Sequence, residues 1–433
     1  MKKSFYNFQF PGEGGKCILY NTRTGAMAEL DEEHTRKYSE CSFEELQSEM
    51  PQFAGALAAN GYVMEDDVSE LDIIRYQMLE YRFGLRSFHV TLAPTLGCNF
   101  ACLYCYERER QTGRMMDAAT REAVFEYIKC RILPEGALAL NWYGGEPLLA
   151  LDTVLELSAR LSEVCREKKA GCSMSMITNG YLLTQETARR LVEVGIREFQ
   201  ITLDGDEQTH NSRRSLAGGG ESYHRIWSNL LALKAFRKEL RVLLRVNVDK
   251  ENDQAVSEIS KRIKTENLSD FILVYPGKVV AEGSCYQKET CLDNREFAVL
   301  EQQYFCENQT LLPNVYPSPR HFFCMADNDS SVVIDPDGNL YKCMMELGDT
   351  RFIVGNVTDR FRRYRPHLLR YLLPDNPAED CLTCKYYPIC LGGCPHARLE
   401  EKTDCSSMRY ALEKYMEYFP DAMRAAKRAC RDS

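Results

Sequence analysis

Between about Phe88 and Pro276, short β-branched or apolar runs alternate with amphipathic stretches, and no other feature narrows the possible folds of this chain so far. The runs are Phe88–Ala93, Leu138–Tyr143, Cys172–Thr178, Arg197–Leu203, Arg241–Val248 and Phe271–Tyr275, and a helical pattern follows each of the first five. In the first of these helices Asp117 can cap the start, Val124, Ile128 and Ile132 recur on one face, and Pro134 lies just beyond the end. Strands separated by helices pair in parallel through right-handed crossovers. The expectation is an α/β fold built on a six-stranded (β/α)6 partial barrel. Ligands of such sheets gather at the carboxyl ends of the strands.

Chemistry-bearing residues fall at those ends. Just past the first strand, the run Thr-Leu-Gly-Cys-Asn-Phe-Ala-Cys-Leu-Tyr-Cys-Tyr places Cys98, Cys102 and Cys105 at x3 and x2 spacing. Three thiolates can hold three irons of a cubane and leave the fourth open to a substrate or cofactor. A structural zinc site is the alternative, but it wants four closed ligands. Tyr143-Gly144-Gly145-Glu146-Pro147 follows the second strand, and its glycines allow a close backbone approach beside a carboxylate that can accept from an ammonium group. Thr178-Asn179-Gly180 ends the third strand. Thr202-Leu203-Asp204-Gly205 ends the fourth and leads into His210-Asn211-Ser212-Arg213-Arg214. On the fifth strand Arg245 and Asn247 share a face by period-two alternation, either as a buried polar network or as ligand contacts.

Taken together these residues resemble the signature of the radical SAM enzymes. The resemblance implies that Cys98, Cys102 and Cys105 bind a [4Fe-4S] cluster whose open iron chelates S-adenosylmethionine (SAM), which is then cleaved reductively to a 5′-deoxyadenosyl radical. It implies that Tyr104 packs against adenine and that Gly144, Gly145, Glu146 and Pro147 receive the SAM amino group. Thr178, Asn179, Thr202 and Asp204 lie where the family contacts ribose. Arg214 fits the spacing of the carboxylate-binding arginine better than Arg213, and Arg245 and Asn247 would meet SAM or substrate.

A second set of cysteines follows. Cys324, Cys343, Cys381, Cys384, Cys390, Cys394 and Cys405, with Gly338 between the first two, resemble the SPASM domain that carries auxiliary [4Fe-4S] clusters. Zinc is again the alternative, since Cys-x2-Cys pairs suit it. By position, the resemblance implies one cluster on Cys381, Cys384, Cys390 and Cys405 and another on Cys324, Cys343 and Cys394. The latter is one ligand short: either Cys285, Cys291 or Cys306 completes it or one iron is left for a substrate atom. Cys17, Cys41, Cys130, Cys165, Cys172 and Cys430 have no ligand spacing and read as small buried apolar residues.

The first eighty residues bear on the substrate. Strand-like runs at Phe5–Phe10, Lys16–Asn21 and Ala26–Leu30 precede helical patterns from Asp31 to about Asn60, and Val68 to Tyr81 reads as a connecting helix. This order resembles the winged-helix peptide-recognition domain of many radical SAM/SPASM maturases, which implies a leader peptide added as a strand to a sheet edge. The expected division is 1–80 for leader recognition, 81–280 for the radical SAM core, 281–323 as a bridge and 324–433 as the SPASM domain. The expected activity is installation of a crosslink, a Cys thioether of the sactipeptide or ranthipeptide kind, in a ribosomally made precursor peptide, with flavodoxin or ferredoxin as electron donor. An anaerobic sulfatase-maturing enzyme, oxidising a Cys or Ser side chain, is the nearest alternative, and a maturase forming a carbon–carbon peptide crosslink is another. In the sulfatase-maturing group an acidic base directly follows the cysteine at the Cys343 position, whereas this chain has Met344, and that group lacks the extra N-terminal domain found here. A cluster-holding electron-transfer scaffold would leave the Gly-Gly-Glu-Pro run unexplained. A net charge of −9 argues against a nucleic-acid surface. No stretch is apolar enough to span a bilayer and the N-terminus lacks signal-peptide features, so the expected location is the cytoplasm.

Overall fold

The structure, a computed structural model, describes residues 1–84, 86–280, 286–308, 317–373, 379–400 and 405–417. The chain forms two compact units: Met1–Arg82 with Asn294–Cys324 and Pro374–Ser433, and Phe83–Asp293 with Met325–Leu373.

The second unit holds the alternating region. Six strands form in chain order, β4 (Ser87–Leu92), β5 (Ala137–Trp142), β6 (Gly171–Thr178), β7 (Ile196–Thr202), β8 (Arg241–Val248) and β9 (Ile272–Lys278), each within a few residues of its expected position. All are parallel and sit beside their sequence neighbours. Helices α5 (Ala118–Arg131), α6 (Leu151–Glu167), α7 (Gln185–Glu193), α8 (Glu207–Arg213), α9 (Tyr223–Ala232) and α10 (Ala255–Thr265) fill the crossovers. Asp117 caps α5 by accepting from the Thr120 N–H, and Val124, Ile128 and Ile132 are buried. Strand alternation divides two faces. Val90, Leu92, Leu138, Leu140 and Trp142 are almost fully buried, and His89, Ala139, Asn141, Ser173 and Ser175 line a cavity of about 210 Å³ that Val90, Thr91 and Leu140 also border. The Trp142 indole N–H donates to Ser158 Oγ of α6 at 3.0 Å, tying the end of β5 to its crossover helix.

The sheet is longer than the six strands the sequence suggests. β10 (Ser331–Ile334) pairs in parallel with β4, and β11 (Asn339–Tyr341) and β12 (Gly355–Asn356) continue it antiparallel, giving nine strands. These runs are too short for alternation to register.

In the first unit, β1 (Asn7–Pro11), β2 (Cys17–Asn21) and β3 (Met27–Leu30) form an antiparallel sheet in that order, so β3 is an edge. Three helices follow: α1 (Glu32–Glu40), capped by Asp31; α2 (Phe43–Glu49), opened by a Ser42/Glu45 capping box; and α3 (Pro51–Ala59), with proline at its first position. Leu19, Leu30, Tyr38, Leu46, Leu57 and Tyr62 make the core between sheet and helices. Lys2–Lys3 pairs with Val63–Met64. α4 (Glu70–Arg82) starts at a buried carboxylate: Glu70 accepts from Ser4 Oγ, from the Phe5 N–H at 2.7 Å and from Arg23 Nε at 2.9 Å. Further along, Ile74 and Met78 pack with Tyr6, Tyr387 and Leu391. The N-terminal residues and the later cysteine-bearing segment of this unit therefore share a core.

One expectation about the remaining cysteines fails. Cys17 and Cys165 are buried and Cys41 is half-buried, but Cys130 and Cys172 are exposed. Cys130 lies on the face of α5 opposite Ile128, and Cys172 belongs to the first, uncovered residues of β6. Cys430 lies outside the described residues. Among the described residues no helix is long and apolar enough to cross a membrane.

Trp142→Ala removes the largest fully buried side chain and strands the Ser158 hydroxyl, so it should cost about 3–5 kcal/mol of stability. Urea unfolding followed by circular dichroism measures it, and a cost below about 1 kcal/mol would contradict the packing described.

Candidate active site

The cysteine loop has no regular structure of its own, so neighbours must set its shape. From one side residues 213–217 latch it: the Ala101 N–H donates to Ser215 O at 2.9 Å, Leu103 N–H to Arg213 O at 3.0 Å and Ala217 N–H to Asn99 O at 2.8 Å. From the other side the loop after β5 runs directly against it. Gly144 has φ +117°, and a Cβ there would lie 2.4 Å from Thr95 O; at Gly145 a Cβ would lie 2.2 Å from Gly97 O. Only glycine fits both places. The Glu146 N–H completes the contact by donating to Gly97 O at 2.9 Å.

Glu146 is fully buried and faces inward. Its carboxylate accepts from the Leu148 N–H at 3.0 Å, Thr178 Oγ1 at 2.8 Å and the Asn179 N–H at 2.8 Å. Burial raises its pKa and these three bonds oppose that shift. A carboxylate has about four lone-pair sites, so one remains for an ammonium group. Asn179 Nδ2 also donates to Asn99 Oδ1 at 2.7 Å, joining the end of β6 to the cysteine loop.

Tyr104 lies at the centre of a polar network. Its hydroxyl donates to Asp204 Oδ2 and accepts from Arg214 Nη1 and Asn247 Nδ2, each at 2.9 Å. Arg245 Nε donates to Asn247 Oδ1 at 2.7 Å. Thr202, at the end of β7, is buried two residues before Asp204. Pro147 opens the buried turn that leads into α6. The structure therefore ties Tyr104 of the cysteine loop to Asp204, Arg214 and Asn247, and through Asn247 to Arg245.

Two contributors, Asp249 and Gly277, were not singled out from the sequence, and two others, Arg213 and His210, were named there without the roles the structure gives them. Arg213 bridges two fully buried carboxylates, Asp249 at 2.6 Å and Asp204 at 3.3 Å, and also donates to Tyr286 at 3.1 Å. Burial works against its charge, but Asp204 and Asp249 more than offset this and the guanidinium stays protonated. Asp249 lies two residues beyond Asn247, so the same alternation that marks Arg245 and Asn247 points to it. Gly277 on β9 has no such signal: a Cβ there would lie 2.2 Å from Arg245 Nε, so the glycine makes room for that arginine. His210 is neutral, its pKa pushed down to about 2 by burial and by the nearby Arg214 and Arg213. It accepts from the Asp204 N–H and bonds Ser222 Oγ, which donates to Arg214 O, so it fixes the turn that presents Asp204 and Arg214.

The three thiols are close enough for the charges of Cys102 and Cys105 to act on Cys98. Burial pushes Cys98 up to about 12 and Cys105 up to about 11, so iron must displace their protons. Burial likewise pushes Glu107, in the same loop, up to about 7. Among the described residues no three His, Cys, Asp or Glu side chains converge as a single ion requires. A cubane separates its ligands more widely than one ion does. Two further atoms fit a polar ligand: Asp204 Oδ1 and Arg214 Nε are buried without a hydrogen-bond partner, offering one acceptor and one donor at the strand ends.

Residues 92–263 match the radical SAM superfamily. The chain carries a radical SAM domain over these residues. It is related at low identity to the cysteine-type anaerobic sulfatase-maturating enzyme of Clostridium perfringens, 24% identical over 354 residues, covering 75% of this chain and 92% of that one. The solved structure described as native anSMEcpe with bound AdoMet and Cp18Cys peptide has a TM-score of 0.59 at 20% identity, covering 79% of this chain and 99% of that one. Streptococcus suis SuiB bound to precursor peptide SuiA has a TM-score of 0.56 at 16% identity, covering 94% of this chain and 98% of that one. Both likenesses are of fold. When bound, the [4Fe-4S] cluster and SAM of this family supply the reductive cleavage that makes a 5′-deoxyadenosyl radical. Cys98, Cys102 and Cys105 are the residues here that would hold the cluster, and Asp204, Arg214 and Glu146 would offer polar atoms to SAM.

The later cysteines divide between the units. Cys381, Cys384, Cys390 and Cys405 come together in one, where the other three charges act on Cys381. Cys324, Cys394 and Cys306 belong to that unit, whereas Cys343 and Cys291 belong to the barrel unit. Cys285 lies outside the described residues.

Gly145→Ala should deform the cysteine loop and lower SAM-dependent 5′-deoxyadenosine formation at least about tenfold, because something must shift when a Cβ meets backbone this closely. Gly113→Ala, where a Cβ would meet nothing within 4 Å, should leave it unchanged. Iron content and deoxyadenosine release check the pair; equal activities would contradict the close approach.

Proposed function

We propose that this enzyme installs a crosslink, a thioether between a cysteine sulfur and a carbon, in a ribosomally made precursor peptide. The observation that carries this reading is the N-terminal lobe. Its edge strand β3 borders a groove of about 350 Å³, with Met27, Ala28 and Leu30 on the strand side and Phe53, Ala56 and Leu57 of α3 opposite. An open strand edge beside an apolar groove can take an extended leader peptide, with backbone hydrogen bonds supplying affinity and the groove selecting alternate side chains. The likeness to SuiB bound to its precursor peptide takes in 94% of this chain and the anSMEcpe likeness 79%, which favours a region beyond the sulfatase-maturating architecture.

In this reading residues 1–80 recognise the leader, 81–280 generate the radical, 281–323 bridge, and 324–433 form a SPASM domain. Cys381, Cys384, Cys390 and Cys405 hold one auxiliary cluster. Cys324, Cys343 and Cys394 hold the other. The peptide loses two hydrogens overall: one leaves in 5′-deoxyadenosine, and the other as a proton with an electron taken up by an acceptor in the protein. Flavodoxin or ferredoxin supplies the reducing electron. The cavity beside the sheet, lined by small residues such as Ala139, Ser173 and Ser175, leaves room for a peptide side chain.

A second reading, oxidation of a Cys or Ser side chain as in sulfatase maturation, draws on the Clostridium perfringens relative. Against it stands Met344, where an acidic base is expected by resemblance; its thioether side chain lines the same cavity.

Reduced, iron-reconstituted enzyme given SAM and short cysteine-containing peptides made from the open reading frames flanking its gene should convert one of them to a product lighter by two hydrogens that no longer reacts with iodoacetamide. The Cys98→Ala/Cys102→Ala/Cys105→Ala variant should leave the peptide unchanged. Exchange of the cysteine thiol for an aldehyde oxygen in a sulfatase-derived peptide would instead establish the second reading.

A further inference from the structure

The charge around the β3 groove constrains what kind of peptide can dock there, and this step rests on reading the N-terminal lobe as the docking site. Between Ala26 and Asn60 the chain carries eight carboxylates, Glu29, Asp31, Glu32, Glu33, Glu40, Glu44, Glu45 and Glu49, against two basic residues, Arg36 and Lys37. Three of the eight are paired, Glu49 with Lys37, Glu29 with Lys16 and Glu44 with the N-terminal ammonium, which leaves Asp31, Glu32, Glu33, Glu40 and Glu45 in excess, with His34 of the groove lining beside Asp31. Asp31, Glu32 and Glu33 are exposed at the end of β3 where α1 begins, and Glu29 is exposed on the strand itself, reached by Lys16 at 2.6 Å. The α3 wall is uncharged along its whole length, Pro51 to Ala59, with Gly55 and Ala56 exposed and Phe53 half-buried. An apolar groove thus lies beside a strand whose outer face and end are acidic.

Strand geometry converts this into a pattern. On β3, Ala28 and Leu30 pack toward the lobe core, so Met27 and Glu29 point to the other face. A strand added beside β3 would alternate in the same way: every second side chain would enter the groove against Phe53, Ala56 and Leu57, and the intervening ones would stand beside Met27, Glu29 and the carboxylates at the strand end. Like charge there would be repelled and a cation attracted, affecting both encounter rate and choice of partner.

We propose that the segment recognised by this lobe is a cationic amphipathic strand, with aliphatic or aromatic residues at alternate positions and Lys or Arg among those between. An acidic leader is excluded by the same carboxylates. The apolar positions fix register in the groove, and the basic ones set affinity and its dependence on salt.

A display library of random peptides about twelve residues long, panned on the immobilised full-length protein at low ionic strength, tests this without knowing the natural substrate. Enriched peptides should carry alternating apolar residues and an excess of Lys and Arg. Ala56→Trp, which fills the groove from an exposed helix position, should abolish their binding. Glu32→Lys/Glu33→Lys should weaken them about tenfold and shift new selections toward acidic peptides; Glu32→Gln/Glu33→Gln, milder for the first turn of α1, should weaken them less and in the same direction. Neutral or acidic winners that are still lost on Ala56→Trp would overturn the charge assignment while leaving the groove as a peptide site. No enrichment, or winners indifferent to Ala56→Trp, would overturn the docking site itself.

Discussion

The approach of two backbones at Gly144 and Gly145 is the contact on which the reactive centre depends. The cysteine loop follows β4 without regular structure, and nothing in its local sequence makes three thiols face one another. Backbone packed on backbone, with Thr95 O and Gly97 O closer to the glycine positions than any Cβ allows, fixes the loop against the end of the neighbouring strand. Glu146 then spends its buried carboxylate on the ends of two elements, binding Leu148 on one side and Thr178 and Asn179 on the other. Loop shape is thus inherited from the ends of the parallel strands it packs against.

The second constraint is electrostatic. Removing Asp204, Asp249, Arg213 and Arg214 from water is costly, and such charges persist only when each finds a partner. Here the pairing is nearly complete: Arg213 serves both carboxylates, Arg214 reaches Tyr104, and neutral His210 holds the turn between them. The atoms left over, Asp204 Oδ1 and Arg214 Nε, lie at the strand ends where a ligand would meet them. Buried polar groups left unpaired in this way mark a binding site better than they serve stability.

Much of this was legible in the sequence because alternation in strands and capping in helices are local signals. The six parallel strands fall within a few residues of their expected places, and Asp117 and Asp31 cap the helices that follow them. The cysteine spacing and the Gly-Gly-Glu-Pro run mark the site for the same reason: each is a short chemical requirement written in consecutive residues. What escaped reading was non-local. β10 to β12 are too short to show a period, and their place beside β4 depends on an edge created more than two hundred residues earlier. Arg213 and Asp249 become partners only when a turn and a strand end meet, and Gly277 matters only because Arg245 lies across it. Exposure of Cys130 and Cys172 likewise follows from which side of an element each occupies.

The reading of the molecule as a peptide-modifying radical enzyme is tested most directly by following one hydrogen. Precursor peptide deuterated at its α- and β-carbons is incubated with reduced enzyme and unlabelled SAM, and the 5′-deoxyadenosine formed is analysed by mass spectrometry. The expected result is deoxyadenosine carrying one deuterium in step with peptide product, and none when the peptide is unlabelled. Deoxyadenosine that forms at the same rate with and without peptide and never carries deuterium would contradict it.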